Sequence, residues 1–237
     1  VVDQVGLHVI YEFNLAGIYI FRPEFSLPKK RFYKNFPTQA SLDSPIFKNL
    51  LFHIGMIELI SYWKTACPSR LIIRNQKLSD EQVLWWKNVY YQGLGEFFYT
   101  NGIQTDQENF MQISSAGNSF PAEELKLDDT IIVPIGGGKD SVVTIELLGK
   151  SNKIRPFILN PRGATLECAK VAGFGIEGII EVNRRLDPLL LSLNAQGFLI
   201  GHTPFSALLA FYSLLISVIS GHKYIALSNE SSANEPT

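Results

Sequence analysis

IIVPIGGGKDSVVT, residues 131–144, is the most informative segment of this chain. A short apolar run ends in three glycines at 136–138, and an apolar helical pattern begins after Ser141. A strand that turns through glycines into a helix leaves backbone N–H groups open at the helix N-terminus, where they bind anions, most often phosphate. Glycine allows close approach because it carries no Cβ atom. With the positive charge of Lys139 and the hydroxyl of Ser141 beside it, this turn predicts a site for the phosphates of a nucleotide.

The spacing of the loop distinguishes it from two common phosphate-binding loops. A Walker A loop requires Ser or Thr after its lysine, whereas Asp140 follows Lys139, and the GxGxxG dinucleotide fingerprint is also missing. The segment instead resembles SGGxDS, the pyrophosphate-binding loop of the ATP pyrophosphatase (PP-loop) superfamily. Residues 137–141 match that loop, and Gly136 stands where the superfamily usually has Ser, which removes one hydroxyl from the predicted cradle. A glycine-rich turn without a ligand is the alternative interpretation.

Composition and charge limit the possible classes of protein. The 237 residues are 46% apolar and 18% charged, which allows one large or two small domains with a substantial core. The net charge of −1, without a basic run, predicts that the chain does not bind nucleic acid. Cys67 and Cys168 lack metal-ligand spacing, so each is interpreted as a small buried hydrophobe in a reducing compartment. We therefore expect a cytoplasmic protein.

No segment of the sequence predicts insertion into a membrane. The first residues lack the pattern of a secretory signal peptide. The most apolar run, residues 205–219, is shorter than the roughly 20 residues that a membrane-spanning helix requires, and it contains three serines. This run therefore predicts a buried helix.

The first half of the chain has a mixed pattern. The predicted elements, in chain order, are two short strands within 6–21 around a turn at 14–17, a mostly irregular proline-containing stretch at 22–46, a helix at 46–66, a strand at 70–75, and a helix from Ser79 to about Tyr99. Aromatic residues at helical spacing predict core packing, with an interface as the alternative, namely Trp63, Trp85, Trp86, Tyr90 and Tyr91. The polar residues 113–129 predict a linker. We therefore expect a smaller α+β domain over residues 1–125.

After the predicted linker the pattern changes to alternating strands and helices. Strands are predicted at 131–135, 155–159, 178–182 and 223–227, and helices at 140–149, 164–172 and 204–220. This alternation predicts an α/β domain over residues 126–237, built on a parallel, doubly wound sheet with right-handed crossovers. In such sheets ligands bind beyond the carboxyl ends of the strands.

Polar residues follow each predicted strand and supply the candidate site. The nucleotide-binding candidates are Gly136, Gly137, Gly138, Lys139, Asp140, Ser141, Asn160, Ser228 and Asn229. Asp140 and Glu230 offer the carboxylates that Mg²⁺ takes alongside phosphate oxygens. The arginines at the same edge are suited to bind a carboxylate or phosphate of the substrate, and they are Arg162, Arg184 and Arg185. The alternative to a binding site is that these residues belong to solvated loops or, for residues 228–230, to a frayed tail.

A histidine precedes the long apolar helix, within Gly201-His202-Thr203. Because imidazole titrates near neutral pH, His202 joins Lys139 and Asp140 as a predicted catalytic residue. The alternative is a residue that packs against or caps the start of the helix.

Three segments in order, PIGGGKDSVVTIELL, GHTPFSALLAFYSLL and ALSNESSANE, resemble the bacterial UDP-N-acetylmuramoyl-L-alanyl-L-glutamate epimerase family. The resemblance covers the second half of the chain well and the first half loosely. It implies that residues 126–237 form a PP-loop, adenine nucleotide alpha hydrolase-like (HUP-like) domain, which in family members continues beyond the last residue here. It also implies inversion of the terminal L-glutamate of a UDP-muramoyl dipeptide in peptidoglycan precursor synthesis, with ATP and Mg²⁺.

The implied chemistry begins when the substrate α-carboxylate attacks the α-phosphorus of ATP and pyrophosphate leaves. The resulting mixed anhydride acidifies the neighbouring C–H, so that a base removes the proton and reprotonation from the other face inverts the centre. Hydrolysis of the anhydride by water then releases AMP and restores the carboxylate. His202, Cys168 and Lys139 remain open as that base. The alternatives are another PP-loop enzyme, such as an adenylating ligase or an amidotransferase-like enzyme, and a non-catalytic ATP-binding module.

Overall fold

A six-stranded sheet with helices on both faces organises residues 1–228, the part of the chain that the computed structural model describes. The strands are β1 (Gly6–Ile10), β2 (Phe13–Leu15), β3 (Tyr19–Phe21), β4 (Glu24–Pro28), β5 (Arg70–Ile73), β6 (Gln112–Ser115), β7 (Asp128–Pro134), β8 (Ile154–Leu159), β9 (Ile180–Arg185) and β10 (His222–Ile225). The helices of these residues are α1 (Pro45–Trp63), α2 (Asp80–Gly93), α3 (Gly95–Thr100), α4 (Lys139–Gly149), α5 (Gly163–Val171), α6 (Pro188–Ala195) and α7 (Phe205–Ser220).

The strands of the main sheet lie in the order β1-β4-β9-β8-β7-β10. The neighbours among β9, β8, β7 and β10 pair in parallel, whereas β4 pairs antiparallel with both β1 and β9. Parallel neighbours require a crossover connection. α4 connects β7 to β8, and α5 connects β8 to β9. α6 and α7 lie in the connection from β9 to β10, which is the neighbour of β7. The fold is therefore mixed α/β with a mostly parallel sheet, and the predicted alternation of strands and helices is confirmed.

Each face of the sheet buries its own set of residues, because successive side chains of a strand point to opposite sides. Val133 of β7 and Ile158 of β8 pack in one cluster with residues of α4 and α5. Their neighbours in the chain, Ile132 and Phe157, belong to a larger cluster with residues of α1 and α7. The parallel strands β7 and β8 are thus covered on both sides.

The first half of the chain contributes two strands to this sheet. β4 lies beside β9, with Phe25 opposite Arg184, and β1 lies outside β4. Leu7, Phe25 and Leu27 are at most 2% exposed and belong to the same core cluster as residues of β7, β8 and β9. Residues on both sides of position 125 therefore share a sheet and a core. The division into domains after residue 125 stays a prediction.

Two segments that we expected to be irregular contain strands. Residues 24–28, within the proline-containing stretch, form β4, in which Phe25 and Leu27 face the core and the alternate residues are partly exposed. Pro28 is the last residue of that strand and lies beyond the part that pairs with β9, which covers residues 24–26. The expected linker begins with β6, which pairs in parallel with the distant β5, and it ends within β7.

The helix predicted from Ser79 to about Tyr99 forms as two helices. Ser79 caps α2 through a capping box, in which its Oγ accepts the N–H of Gln82 at 3.2 Å and its own N–H donates to Gln82 Oε1 at 3.0 Å. α2 ends at Gly93 and α3 begins at Gly95. The predicted start was therefore right and the predicted continuity was wrong.

The aromatic residues of α1 and α2 form a packed cluster, as the helical spacing predicts. Trp63 is 3% exposed, and Trp86 and Tyr90 are completely buried. Trp85 is 50% exposed, so its assignment to the core was wrong. Adjacent residues of a helix point about 100° apart, and Trp86 occupies the inward position of that pair.

The apolar run that we predicted as a buried helix forms α7. Leu208, Leu215 and Ile219 on this helix are at most 1% exposed, and the helix ends at Gly221 with a φ of 76°, the left-handed cap that glycine adopts without strain. Within residues 1–228, no helix combines the length and the apolar character that crossing a membrane requires.

Candidate functional site

The glycine loop, residues 136–138, connects β7 to α4 at the carboxyl edge of the sheet. From β7 the chain proceeds to β8 and β9 on one side, whereas β10 lies on the other side of β7. The direction of strand addition therefore reverses between β7 and β10. In open α/β sheets ligands bind in the crevice at such a reversal. The loop singled out from the sequence thus lies where this type of sheet binds its ligands.

The three glycines of the loop differ in what they permit. Gly137 has a φ of 81°, and a Cβ atom there would lie 3.2 Å from the backbone of Ala164 and Thr165, at the start of α5. A Cβ atom at Gly136 or at Gly138 would meet no atom within 4 Å. Only Gly137 is therefore required by conformation and by close packing, and the other two leave the approach to the loop open.

The start of α4 is an uncapped helix N-terminus. Gly138 is the N-cap residue, and because it is a glycine it has no side chain that could cap the first turn. The first four N–H groups of an α-helix have no acceptor within the helix, so this end can bind an anion. Lys139 is exposed at the first position, and Asp140 is half-buried in the same turn.

The hydroxyl of Ser141 is used within the loop. Ser141 is 5% exposed, its Oγ accepts the N–H of Gly136 at 3.3 Å, and it donates to the carbonyl of Gly138 at 3.2 Å. These two bonds hold the loop in its turn. The predicted role of Ser141 as a direct phosphate ligand stays a prediction, and the structure adds a role in shaping the loop.

Asn160 follows β8 and ties the neighbouring strand to this edge. Its φ is 55°, in the left-handed region that Asn tolerates better than most residues. Its N–H donates to the carbonyl of Val182 at 2.7 Å, and its Oδ1 accepts the N–H of Arg184 at 2.6 Å. Asn160 therefore fixes the end of β9 beside the end of β8.

The three predicted arginines have different surroundings. Arg162 is exposed at the N-cap of α5, and Arg185 is exposed with a 3.4 Å contact to Glu24. Arg184 is largely buried, and its Nε donates to both carboxylate oxygens of Glu58 in α1, at 2.7 Å and 3.0 Å. Burial raises the pKa of the Glu58 carboxyl, and the charge of Arg184 acts in the opposite direction.

Lys64 is a buried cation that the sequence analysis missed. It caps the end of α1 with only 5% of its surface exposed, and its Nζ donates to the carbonyl of Gly201, to the carbonyl of His202 at 3.1 Å and to Thr203 Oγ1 at 2.8 Å. Burial, followed by the nearby charge of Arg184, lowers the pKa of Lys64 to about 8. The signal in the sequence that could have identified Lys64 is its position within the apolar pattern of residues 46–66.

The side chain of His202 points away from this buried cluster. It is 69% exposed, and its Nδ1 lies 3.9 Å from Glu96 Oε2, a surface contact. Cys168, another open candidate for the base, is a half-buried free thiol whose pKa is raised by burial. The catalytic roles considered for both residues stay predictions.

The end of β10 lies against α4, because the Oγ of Ser228 donates to Thr144 Oγ1 at 2.8 Å. Ser228 is thereby close to the helix that follows the glycine loop, as the topology predicts. Asn229 and Glu230, predicted as nucleotide and Mg²⁺ ligands, lie outside the described residues. Among residues 1–228, no group of three or more His, Cys, Asp or Glu side chains is arranged to hold a metal ion.

Two cavities in the described part of the chain lie away from the glycine loop. The larger, about 420 Å³, is at the opposite end of α4 from the glycine loop, between Gly149, Ile154 and Phe174. The smaller, about 170 Å³, lies beside Lys64 and Thr203 and is walled by leucines of α6. The smaller cavity thus adjoins the buried ionic cluster.

Comparisons with known proteins give a consistent result. A family model described as the MurL N-terminal domain matches residues 3–237. Proteins named UDP-N-acetyl-alpha-D-muramoyl-L-alanyl-L-glutamate epimerase are similar in Salinispora tropica (33% identity over 187 residues, 78% of this chain and 40% of the relative) and Xanthomonas oryzae pv. oryzae (33% over 184 residues, 76% and 40%). A third, from Micromonospora sp., is 32% identical over 179 residues, 75% of this chain and 39% of the relative. The chain thus spans about 40% of the length of these relatives. No solved structure matches the chain.

Proposed function

The chain belongs to the MurL N-terminal domain family, and from this membership we propose that the protein inverts the terminal L-glutamate of UDP-N-acetylmuramoyl-L-alanyl-L-glutamate. The names of the three relatives support this proposal. Within residues 1–228, the observation that supports this proposal is the position of the glycine loop at the reversal of strand order. We assign to this loop the binding of the phosphates of ATP.

The residues of the loop fit a diphosphate. The uncapped N-terminus of α4 offers backbone N–H groups, and the open space at Gly136 and Gly138 lets phosphate oxygens approach them. The close packing of Gly137 against the start of α5 holds the turn rigid. These features favour a ligand over an empty turn, because a turn without a ligand has no need of two further glycines facing open space.

The activation of the substrate depends on ATP. When bound, ATP activates the substrate α-carboxylate by adenylation and so acidifies the neighbouring C–H. The N–H groups of the α4 first turn and the Lys139 ammonium stabilise negative charge at the phosphates. Asp140 is a carboxylate in the same turn, where it would repel phosphate directly, so we assign it with Glu230 to Mg²⁺.

One experiment tests the function directly. The full-length protein is incubated with Mg·ATP and the UDP-muramoyl dipeptide, AMP is quantified, and the chirality of the terminal glutamate is measured. We expect AMP together with D-glutamate. AMP without inversion would assign the protein to another class of PP-loop enzyme, and ATP binding without AMP would assign it to the non-catalytic modules.

Variants test the assignment of the loop. Lys139→Ala and Asp140→Ala should each lower AMP formation by about 100-fold or more, because each removes a charge at the phosphates. Their melting temperatures should stay close to the wild type, because both residues lie at a helix N-terminus outside the core. Lys170→Ala, an exposed lysine in the last turn of α5, is the matched control. Wild-type turnover in the Lys139 and Asp140 variants would contradict the assignment.

A further inference from the structure

Arg184 is fixed by a carboxylate and still has unused donors. A guanidinium carries five N–H donors in a rigid fork. Its Nε–H is taken by Glu58, and within residues 1–228 neither Nη group has a hydrogen-bond partner. The Arg184 side chain is 13% exposed, so an opening reaches it, while Glu58 is only 2% exposed. The pair therefore presents a rigid arginine fork rather than a closed ion pair.

The position of Arg184 is at the same edge of the sheet as the glycine loop. Arg184 lies near the end of β9, where its N–H is held by Asn160, the residue that follows β8. β9 is separated from β7 by one strand. Neighbouring strands lie about 4.8 Å apart, so β7 and β9 are roughly 10 Å apart across the sheet. Pro134 at the end of β7 is level with Ile180 through Phe157, and Arg184 lies four residues further along β9 in the direction of the glycine loop. One small molecule can therefore reach both places.

The buried charges around Arg184 do not balance. Among residues 1–228, Glu58 supplies one buried carboxylate, whereas Arg184 and the buried Lys64 supply two cations. The carboxylate of Asp187 is also near Tyr62 in this cluster, but it already accepts the N–H groups of Arg22 and Leu189. Within residues 1–228, Lys64 contacts two backbone carbonyls and one hydroxyl but no carboxylate. Burying an uncompensated charge is costly unless an anion accompanies it. The cluster consequently favours one further negative group at the Nη side of Arg184.

We infer that Arg184, aligned by Glu58, binds the side-chain carboxylate of the substrate's terminal glutamate while the α-carboxylate of that residue faces the glycine loop. This inference rests on the proposed function. Inversion requires that the Cα atom stays in place while its proton is exchanged, and an anchor on the distal carboxylate meets this requirement. A guanidinium binds a carboxylate with two parallel N–H···O bonds, which also rejects the neutral amide of glutamine. Glu58 is a positioning residue in this arrangement.

The test compares Arg184→Lys and Glu58→Gln with the wild type in the full-length protein. The KM is measured for the UDP-muramoyl dipeptide, for its analogue with L-glutamine in place of L-glutamate, and for ATP. Arg184→Lys keeps the positive charge but loses the fork, so the KM for the dipeptide should rise about tenfold or more and the preference over the glutamine analogue should shrink accordingly. Glu58→Gln should change the same two quantities in the same direction but less. The KM for ATP should stay within about twofold in both variants.

The exposed pair Arg22 and Glu12, joined at 3.0 Å, provides matched controls. Arg22→Lys and Glu12→Gln should leave all three KM values unchanged. Melting temperatures identify any loss of fold, and if Glu58→Gln does not fold, Arg184→Lys decides, because a lysine can still pair with Glu58.

Three results would overturn the inference in distinguishable ways. Retained discrimination against the glutamine analogue in Arg184→Lys would remove the carboxylate assignment and leave the proposed function intact. A rise confined to the KM for ATP would assign Arg184 to phosphate instead. A wild-type protein that does not invert the dipeptide would overturn the proposed function, and the inference with it.

Discussion

Gly137 is the residue of the loop with the least freedom to change. Its φ of 81° is unfavourable for any residue with a Cβ atom, and that atom would press on the backbone at the start of α5. We expect Gly137→Ala to lower the free energy of unfolding by roughly 1–2 kcal/mol, the cost of a left-handed non-glycine residue. ATP affinity, measured by calorimetry, should fall about tenfold or more because the loop shifts.

The matched control is Gly136→Ser, which introduces the residue usual in the PP-loop superfamily at a position with open space around it. Its stability should stay within about 0.5 kcal/mol of the wild type, and ATP binding should be retained. Equal effects of Gly136→Ser and Gly137→Ala would show that the loop does not depend on the contact between Gly137 and α5.

A second prediction at the residue scale concerns pH. His53 stacks on Trp86 and Phe211, its buried Nδ1 has no hydrogen-bond partner among residues 1–228, and burial lowers its pKa from 6.5 to about 4. Between pH 6.5 and pH 4, His53 is therefore mostly protonated in the unfolded chain and mostly neutral in the folded chain. His53 thus favours the folded state fully above pH 6.5, and this contribution is lost as the pH falls toward 4.

We expect the acid-side loss due to His53 to be about 2 kcal/mol, since one pKa unit corresponds to about 1.4 kcal/mol and the ring is partly exposed. His53→Phe retains an aromatic ring without a titrating group. Urea unfolding at pH 7.5 and at pH 4.5 should show a smaller loss for His53→Phe than for the wild type. Equal losses in the two proteins would assign the acid sensitivity to other groups.

Some residues of the site carry a local signal in the sequence, and others do not. Triple glycine followed by Lys-Asp-Ser is a signal of its own, and the loop lies where the pattern predicts. Glu58 and Arg184 are 126 positions apart, so no spacing rule connects them. Glu58 within α1 and Lys64 at its end are visible in the sequence as charged residues in an apolar pattern, but their partners depend on how α1 packs against β9 and against the segment before α7.

At the scale of elements, local chemistry predicted where helices start and end better than it predicted which strands pair. The capping box at Ser79 and the glycine after α7 both lie where the sequence places them. β4 and β6 were missed because each is stabilised by strands that are distant in the chain. Strand propensity is set mainly by such neighbours and by burial, which a single sequence does not display.

The link between α1 and the segment before α7 gives a prediction at this scale. Lys64 holds residues 201–203 through three hydrogen bonds. Lys64→Met keeps the apolar stem but leaves two carbonyls and a hydroxyl without their donor, so stability should fall by about 1–3 kcal/mol. Hydrogen exchange of the amides in 199–208 should accelerate more than that of α4.

Lys48→Met is the control on the same helix, because Lys48 is exposed and its ammonium forms a 3.1 Å surface pair with Asp43. It should change stability by less than about 0.5 kcal/mol. Unchanged exchange of 199–208 in Lys64→Met would show that this segment is held by packing alone.

At the scale of the whole molecule, the continuous sheet implies that the two halves of the chain are coupled. Phe25 in β4 is 2% exposed, pairs across to β9, and packs edge-on against Tyr212 of α7 with ring centroids 5.1 Å apart. This one side chain therefore joins the first half of the chain to the sheet that bears the glycine loop. Truncating it leaves a cavity at that junction.

We expect Phe25→Ala to lower the free energy of unfolding by about 3–5 kcal/mol, the usual cost of removing a buried phenyl ring. Because β1, β4, β7, β8 and β9 share one core, hydrogen exchange should accelerate together in α1 and in β7 to β9, and calorimetry should show a single transition at a lower temperature. Ile10→Ala is the control in the same sheet, because Ile10 is 64% exposed and its loss should cost little. If Phe25→Ala instead accelerated exchange only in residues 1–125 and left β7 to β9 protected, the two halves would be independent folding units. The boundary predicted from the sequence would then be the physical one, and the glycine loop would not depend on the first half of the chain for its stability.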